Sequence, residues 1–193
     1  MTNLTFLPYV GPTFHTSPVR LLLLGESHYL GDGDLFPEDP LEATRTVVEK
    51  WKRREWAIRY LTIGARVITG QQAWEIDRTT VFDAIAFANM VQTIMPSVRH
   101  RPTVEQARGS WPAFREVLDR WDPTHIVATG RRFLWDNMPT SDRRTAEVAF
   151  GGVRLPMREF RTPSGYAVTV VIPHLSRASA PRWQGPVREF LAG

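Results

Sequence analysis

Four consecutive leucines, Leu21 to Leu24, constrain this chain more than any other feature. Pro18 precedes them and Gly25 follows, so the run reads as a short strand, Val19–Leu24, buried on both faces. Such a strand needs cover above and below, as in a sheet carrying helices on both sides. Gly25 then lets the backbone turn more sharply than a residue with a Cβ allows. Glu26-Ser27-His28-Tyr29 follows at once, at the carboxyl end of the strand, where open α/β sheets bind their ligands. Strand, glycine and polar loop also occur where there is no chemistry, so these residues mark a candidate site and not yet an activity.

A length of 193 residues predicts a single domain, 1–193. The 42% hydrophobic content and 7 Trp supply a full core, which speaks against disorder. No apolar run approaches the roughly 20 residues that span a bilayer, and no basic-then-apolar leader opens the sequence. There is no cysteine, hence no disulfide, thiol nucleophile or cysteine-held zinc or iron–sulfur cluster. These features predict a soluble, cytoplasmic monomer.

The formal charge is +4, and 22 of the 24 basic residues are Arg. From Arg131 onward ten Arg stand against five acids, an excess that suits a polyanion such as nucleic acid. A solvated basic surface, or a GC-rich genome, gives the same composition.

Residues 1–18 read as an irregular lead-in. Gly31-Asp32-Gly33-Asp34 is a turn-rich loop that brings Phe36 close behind the first segment. Pro40 opens a helix from Leu41 to about Lys52. A second helix, Glu55–Ile68, sets Trp56, Tyr60, Ile63 and Val67 on one core face and ends at Gly70. The second half of Val81–Val91 is a buried strand ending near Asn89, and Pro96–Pro102 is a basic loop. Thr103 and Gln106 form a capping box for a helix reaching Trp121, with Pro112 early in it or splitting it. His125–Gly130 is again strand then glycine, Arg131–Met138 a short helix, and residues 139–152 a loop. Strands Val153–Arg161 and Tyr166–Ile172 flank the turn Thr162-Pro163-Ser164-Gly165, and Val187–Leu191 closes the chain as a helix. The alternation predicts an α/β fold of three layers, α/β/α, around a central, mostly parallel sheet of four to five strands.

Three strand ends then carry polar groups: Glu26 to Tyr29, Asn89, and His174-Leu175-Ser176. In a parallel sheet these ends converge along one edge. With this order and spacing the chain resembles the uracil-DNA glycosylase superfamily. The members it looks most like begin with a strand and Gly-Glu-Ala-Pro-Gly or Gly-Gln-Asp-Pro-Tyr, the place taken here by Gly25-Glu26-Ser27-His28-Tyr29. They continue with a strand ending in Asn, a basic Arg-Pro segment and a capped helix, matched by Phe87–Val91, Arg101-Pro102 and Thr103–Gln106. A Val-Val-Ala-Leu-Gly strand and a final His-Pro-Ser are matched by Ile126–Gly130 and His174-Leu175-Ser176.

The resemblance spans Val19 to Ser179. It implies a glycosylase-like fold and hydrolysis of the N-glycosidic bond of a flipped-out uracil or related deaminated base in DNA, as in base excision repair. It implies no metal and no other cofactor. Ser27 departs from the pattern, because many relatives place Asp or Asn there and serine supplies no carboxylate. Glu26 is then the candidate for water activation or charge stabilisation. Leu175 replaces the Pro of the last motif, and Arg177-Ala178 stands where an apolar wedge often follows.

Cleavage of this bond leaves a sugar with oxocarbenium character and a base departing as an anion, after the base has been extracted from the duplex. Neutral His174 would donate to O2 as charge grows there, an interaction worth ~3 kcal/mol by analogy with oxyanion donors. Asn89 can pair its amide with the O4/N3 edge of uracil, a pattern that cytosine reverses. Tyr29 would crowd C5 and exclude the thymine methyl. Phe36 is preferred over Phe82 for stacking on the base, and His28 is a further base-side candidate. Ser176 and Arg177 would hold phosphate or fill the emptied stack, and Arg99 and Arg101 would contact phosphate.

Two other readings stand beside this one. Gly25-Glu26-Ser27 is similar to the Gly-Asp-Ser segment of lipase-like hydrolases, with Ser27 as nucleophile and His174 as base. Against it, Tyr29 replaces the last glycine of G-x-S-x-G, and Val171 stands where an Asp usually precedes the His. The third reading keeps the glycosylase fold as a nucleic-acid-binding module without catalysis.

Overall fold

The computed structural model describes residues 2–30 and 39–193. Phe36, the expected stacking residue, lies outside the described residues. The strands are β1 (Tyr9–Val10), β2 (Leu21–Gly25), β3 (His28–Tyr29), β4 (Ile85–Asn89), β5 (Ile94–Met95), β6 (His125–Thr129), β7 (Thr145–Phe150), β8 (Val153–Thr162) and β9 (Gly165–Ile172). The α-helices are α1 (Ala43–Lys52), α2 (Arg59–Thr69), α3 (Val104–Gly109), α4 (Trp111–Trp121), α5 (Leu134–Asn137) and α6 (Ala180–Ala192).

Seven strands form one sheet in the order β1-β4-β2-β6-β9-β8-β7, while β3 and β5 pair separately. The pairings β4-β2, β2-β6 and β6-β9 are parallel, and β1-β4, β9-β8 and β8-β7 are antiparallel. This corrects the expected fold class. The sheet is a mixed, seven-stranded one, not the four- to five-stranded, mostly parallel sheet that the glycosylase resemblance implies.

The physical reason lies in two tight turns. Thr162 and Gly165 pair directly across Pro163-Ser164. A connection that short can only bring the chain back alongside itself, whereas a parallel crossover needs about a dozen residues. The same holds for Phe150 and Val153, joined by Gly151 and Gly152 at φ of +53° and +73°. Positive φ at both central residues is the twist-matched hairpin turn that glycine permits. It turns part of the expected loop 139–152 into β7.

The leucine run works as its pattern suggests. Leu21 and Leu23 pack with Val127, Val170 and Ile172 under Trp51 of α1, Leu61 and Val67 of α2, and Trp183 and Val187 of α6. Leu22 and Leu24 pack with Ile126, Ala128 and Val171 against Phe114 and Leu118 of α4 and Leu134 and Trp135 of α5. Successive residues of a strand point to opposite faces, so one tetrad knits two cores together. Burying each leucine stabilises the fold by roughly 1.5–3 kcal/mol.

Helix boundaries shift for local reasons. The capping box forms, with Gln106 N–H donating to Thr103 Oγ1 (3.2 Å) and Thr103 N–H donating to Gln106 Oε1 (2.8 Å). Ser110 separates α3 from α4, which places Pro112 in the first turn of α4, where no N–H is needed. Helix α2 starts at Arg59, later than its spacing suggests, and Gly70 ends it at φ +78°. Helix α6 begins well before Val187 and carries Pro186 inside it. No helix among the described residues is long and apolar enough to cross a membrane.

Truncating the shared strand is expected to be costly. Leu23→Ala should lower unfolding free energy by about 3 kcal/mol, the middle of the range for buried leucines. Urea denaturation followed by tryptophan fluorescence measures it, and a loss under about 1 kcal/mol would contradict the double-sided packing.

Candidate functional site

The four adjacent parallel strands end side by side, and their ends carry the polar groups. Gly25 is in register with Asn89, and Thr129 with Ile172, which leads through Pro173 to His174. A Cβ added at Gly25 would lie 2.1 Å from Asn89 Oδ1 and 3.1 Å from the Tyr60 hydroxyl. Glycine is therefore required at the point where the Asn89 side chain crosses its neighbour strand.

A cavity of about 660 Å³ opens at these ends. Glu26, Tyr29, Asn89, Arg101, His174, Ser176 and Arg177 all line it, so these sequence candidates meet in one place. Asn89 is only 6% exposed, yet nothing among the described residues hydrogen-bonds its side-chain amide. Its main chain is clamped instead. Gln92 Nε2 donates to Asn89 O (2.9 Å), while Gln92 Oε1 accepts from the N–H groups of Thr5 and Phe6 (2.9 Å each).

His174 is held by its own turn. The N–H of Ser176 points at Nδ1 (3.4 Å) and the Ser176 hydroxyl lies 2.8 Å from it. Nδ1 is thus an acceptor, and in the neutral ring the proton sits on Nε2. Burial lowers the His174 pKa below its ordinary value; Arg177 and Arg101 push the same way and Glu26 opposes them. The ring is neutral at pH 7. Tyr60 packs on it with ring centroids 5.4 Å apart. The Tyr60 hydroxyl donates to Thr129 Oγ1 (2.6 Å), which in turn donates to Leu24 O (3.1 Å). Burial raises the Tyr60 pKa, so this hydroxyl remains a donor.

Glu26 brings the carboxylate. Its Oε1 accepts from the Tyr29 hydroxyl (2.8 Å), and its Oε2 lies 3.7 Å from where a Cβ on Gly130 would stand. Burial, then the Glu26 charge, raises the Tyr29 pKa, which keeps the phenol protonated. Tyr29 is thereby fixed as a rigid wall.

Ser27 and His28 reach the cavity wall, but their polar atoms are engaged elsewhere. The Ser27 hydroxyl donates to Thr93 O (2.6 Å) and makes no bond with His174. A Ser27–His174 dyad, which the hydrolase reading needs, is not assembled. His28 Nε2 lies 2.9 Å from Thr44 Oγ1 and the ring packs edge-on against Phe6, so it belongs to the protein interior. Phe82 is fully buried, stacked on Trp51, and does not line the cavity. Arg99 does not line it either.

Other lining residues were less legible in the sequence. Trp56 and Tyr60 read as core because they fit a helical stripe. Arg131, Arg132 and Phe133 follow Gly130 and repeat the strand–glycine–polar pattern of the first segment, a signal that was available. With Arg101 and Arg177 they give the rim four exposed arginines, none in an ion pair among the described residues. No group of three or more His, Cys, Asp or Glu among the described residues is arranged to hold a metal ion.

No family model matches the chain, and no curated protein matches it. Among solved structures, one similar in part is a domain of unknown function (DUF1537) from Bordetella bronchiseptica, crystallised with bound citrate as a domain-swapped dimer. Identity is 11%, the match covers 88% of this chain and 41% of that one, and the TM-score is 0.35. The chain spans about two fifths of that structure's length, and a likeness of this size assigns neither fold nor function.

The buried His28 gives a measurable consequence. Burial lowers its pKa from 6.5 to about 4. Between those values the unfolded chain binds a proton that the folded chain does not, so stability rises with pH across this window. Burial lowers His125 and His174 as well, and both add in the same direction. Taking the chain from pH 7 to pH 4 should cost on the order of 3 kcal/mol through His28 alone. His28→Gln should flatten that part of the pH dependence in thermal denaturation; an unchanged slope would contradict the assignment.

Proposed function

We propose that this cavity receives a pyrimidine base extruded from DNA and that the protein hydrolyses its N-glycosidic bond, with uracil or a related deaminated base as substrate. One observation carries the reading: an unpartnered Asn89 amide, a neutral His174 with its proton on Nε2, and the Glu26 carboxylate open into one cavity. The arginine rim suits a phosphate backbone. The volume lies within the roughly 300–1,000 Å³ of small-molecule sites.

Asn89 offers the base edge both a donor and an acceptor, and its clamped main chain fixes their direction. A buried amide left unpaired in the empty site gains its bonds only when the matching base arrives, so a mismatched edge is penalised. As the C1′–N1 bond breaks, electrons move into the base and charge grows on O2. His174 Nε2–H donates to that oxygen, and the ring arrives already neutral, so no proton is lost beforehand. The sugar becomes electron-poor, and Glu26 stabilises it while orienting a water molecule. The water oxygen bonds to C1′ and gives up a proton, and the departing base anion takes one up. Tyr29, pinned to Glu26, stands beside the base and leaves little room for a methyl at C5.

The experiment is release of uracil from an oligonucleotide under single-turnover conditions. His174→Ala and Asn89→Ala are each expected to lower the rate by about 10²–10³. Glu26→Gln should lower it while leaving DNA binding in place. Binding without base release in the unaltered protein would favour the binding-module reading instead. The rate should also hold steady from neutral pH down past the ordinary histidine range and fall only in more acid solution, as His174, its pKa lowered by burial, gains a proton and loses its use as a neutral donor.

A further inference from the structure

The seven-stranded sheet ends in two outer strands that are built differently. Strand β1 is 2 residues long and stands between Pro8 and Pro12, an edge that offers little ladder to another chain. Strand β7 is 6 residues long, contains neither Pro nor Lys, and pairs with β8 one to one without a bulge. Its side chains alternate between exposed and half-buried, with Ala146, Val148 and Phe150 on the inner face and Thr145, Glu147 and Ala149 on the outer. None of the usual devices that blunt a sheet edge is present along it.

The main chain of β7 is also uncommitted on its outer side. Just before the strand, Glu159 N–H donates to Arg144 O (3.0 Å), and residues along an antiparallel strand alternate in facing their partner. Ala146, Val148 and Phe150 therefore turn their N–H and C=O toward β8, while Thr145, Glu147 and Ala149 turn theirs outward. Pro156 agrees with this phase, because it has no N–H and stands opposite Glu147, at a pair that needs none. Among the described residues no strand and no side chain takes up the three outward-facing sites.

We propose that β7 pairs antiparallel with β7 of a second copy of this chain, joining the two sheets across a two-fold axis at Val148. The proposal is independent of the reading of the cavity, and it replaces the monomer expected from the sequence. A two-fold axis perpendicular to the sheet keeps inner residues on the inner face, so only every second register is open. Centring on Val148 opposes that residue to its own counterpart, Ala146 to the partner's Phe150, and Glu147 to the partner's Ala149. Small then meets large on the inner face. The outer face carries the charge. Within one chain Arg154 stands opposite Ala149, so the partner's Glu147, Ala149 and Arg154 fall in one row. Strands lie about 4.8 Å apart, which lets the glutamate and arginine side chains meet over the alanine methyl. Both residues are exposed, and neither is in an ion pair among the described residues. Symmetry makes the bridge twice. Centring on Glu147 would instead set two carboxylates face to face, which is destabilising.

Sedimentation equilibrium on the whole chain, from about 1 to about 200 μM, tests this. The contact is short, so a dimer with Kd on the order of 10 μM is expected, the mass rising from one chain toward two. Ala149→Pro removes an outward N–H that β8 does not use, and should hold the protein at one chain mass with its circular dichroism unchanged. Glu147→Arg and Arg154→Glu should each weaken association roughly tenfold, and the double variant Glu147→Arg/Arg154→Glu should restore it. Should Ala149→Pro fail to fold, the charge reversal decides alone. A single chain mass at every concentration overturns the proposal. A dimer that survives Ala149→Pro overturns it too, because another surface then makes the contact. A double variant no tighter than the single ones overturns the register, and with it the reason for choosing a second copy.

Discussion

The register that sets Gly25 against Asn89 is the contact on which the site depends. Position 25 has no room for a side chain, because an added methyl would overlap the side-chain amide oxygen of Asn89. Asn89 can therefore lie across its neighbour strand only where the partner residue has been reduced to backbone. That register is fixed in turn by the leucine tetrad, since a one-residue slip would send Leu21 and Leu23 into the core meant for Leu22 and Leu24. Two packed cores thus specify where a single amide stands.

Electrostatics in the cavity follow from the same construction. Glu26 is the carboxylate among the lining residues, and it is bonded by a tyrosine whose proton burial retains. At His174 burial outweighs the opposing Glu26 charge, with smaller help from Arg177 and Arg101, and this keeps the ring uncharged. The arginines stand at the rim and leave the interior free of fixed cations, a distribution that would favour polyanions at the mouth on the proposed function. Charge outside and neutral donors inside is an arrangement suited to a ligand whose backbone is anionic and whose reacting part is not.

How much could be read beforehand depended on what each residue's role rests on. Glu26, Asn89 and His174 were legible because each is a polar residue at or just beyond the carboxyl end of an apolar strand, and parallel pairing brings such ends together. Ser27 was not, because the direction of its hydroxyl depends on the β3-β5 pair, two residues long, which no periodicity announces. Tyr60 satisfied a helical core stripe with its ring, while its hydroxyl end reached the site. The parallel expectation for the whole sheet failed at the hairpin turns. Thr162–Gly165 was identified as a turn between strands, and its shortness already required antiparallel neighbours. Strand β7 escaped notice because its alternation of small and polar residues resembles a loop, although Ala146, Val148 and Phe150 pack inward beside α6.

Gln92 has a consequence for how the protein is handled. Its side-chain amide bridges the main chain at Asn89 to the main chain at Thr5 and Phe6, so the opening residues act as a guy-line for the strand end that carries the Asn89 amide. Fusions or truncations made at that end would alter tension on the pocket from the outside, with the sheet itself untouched.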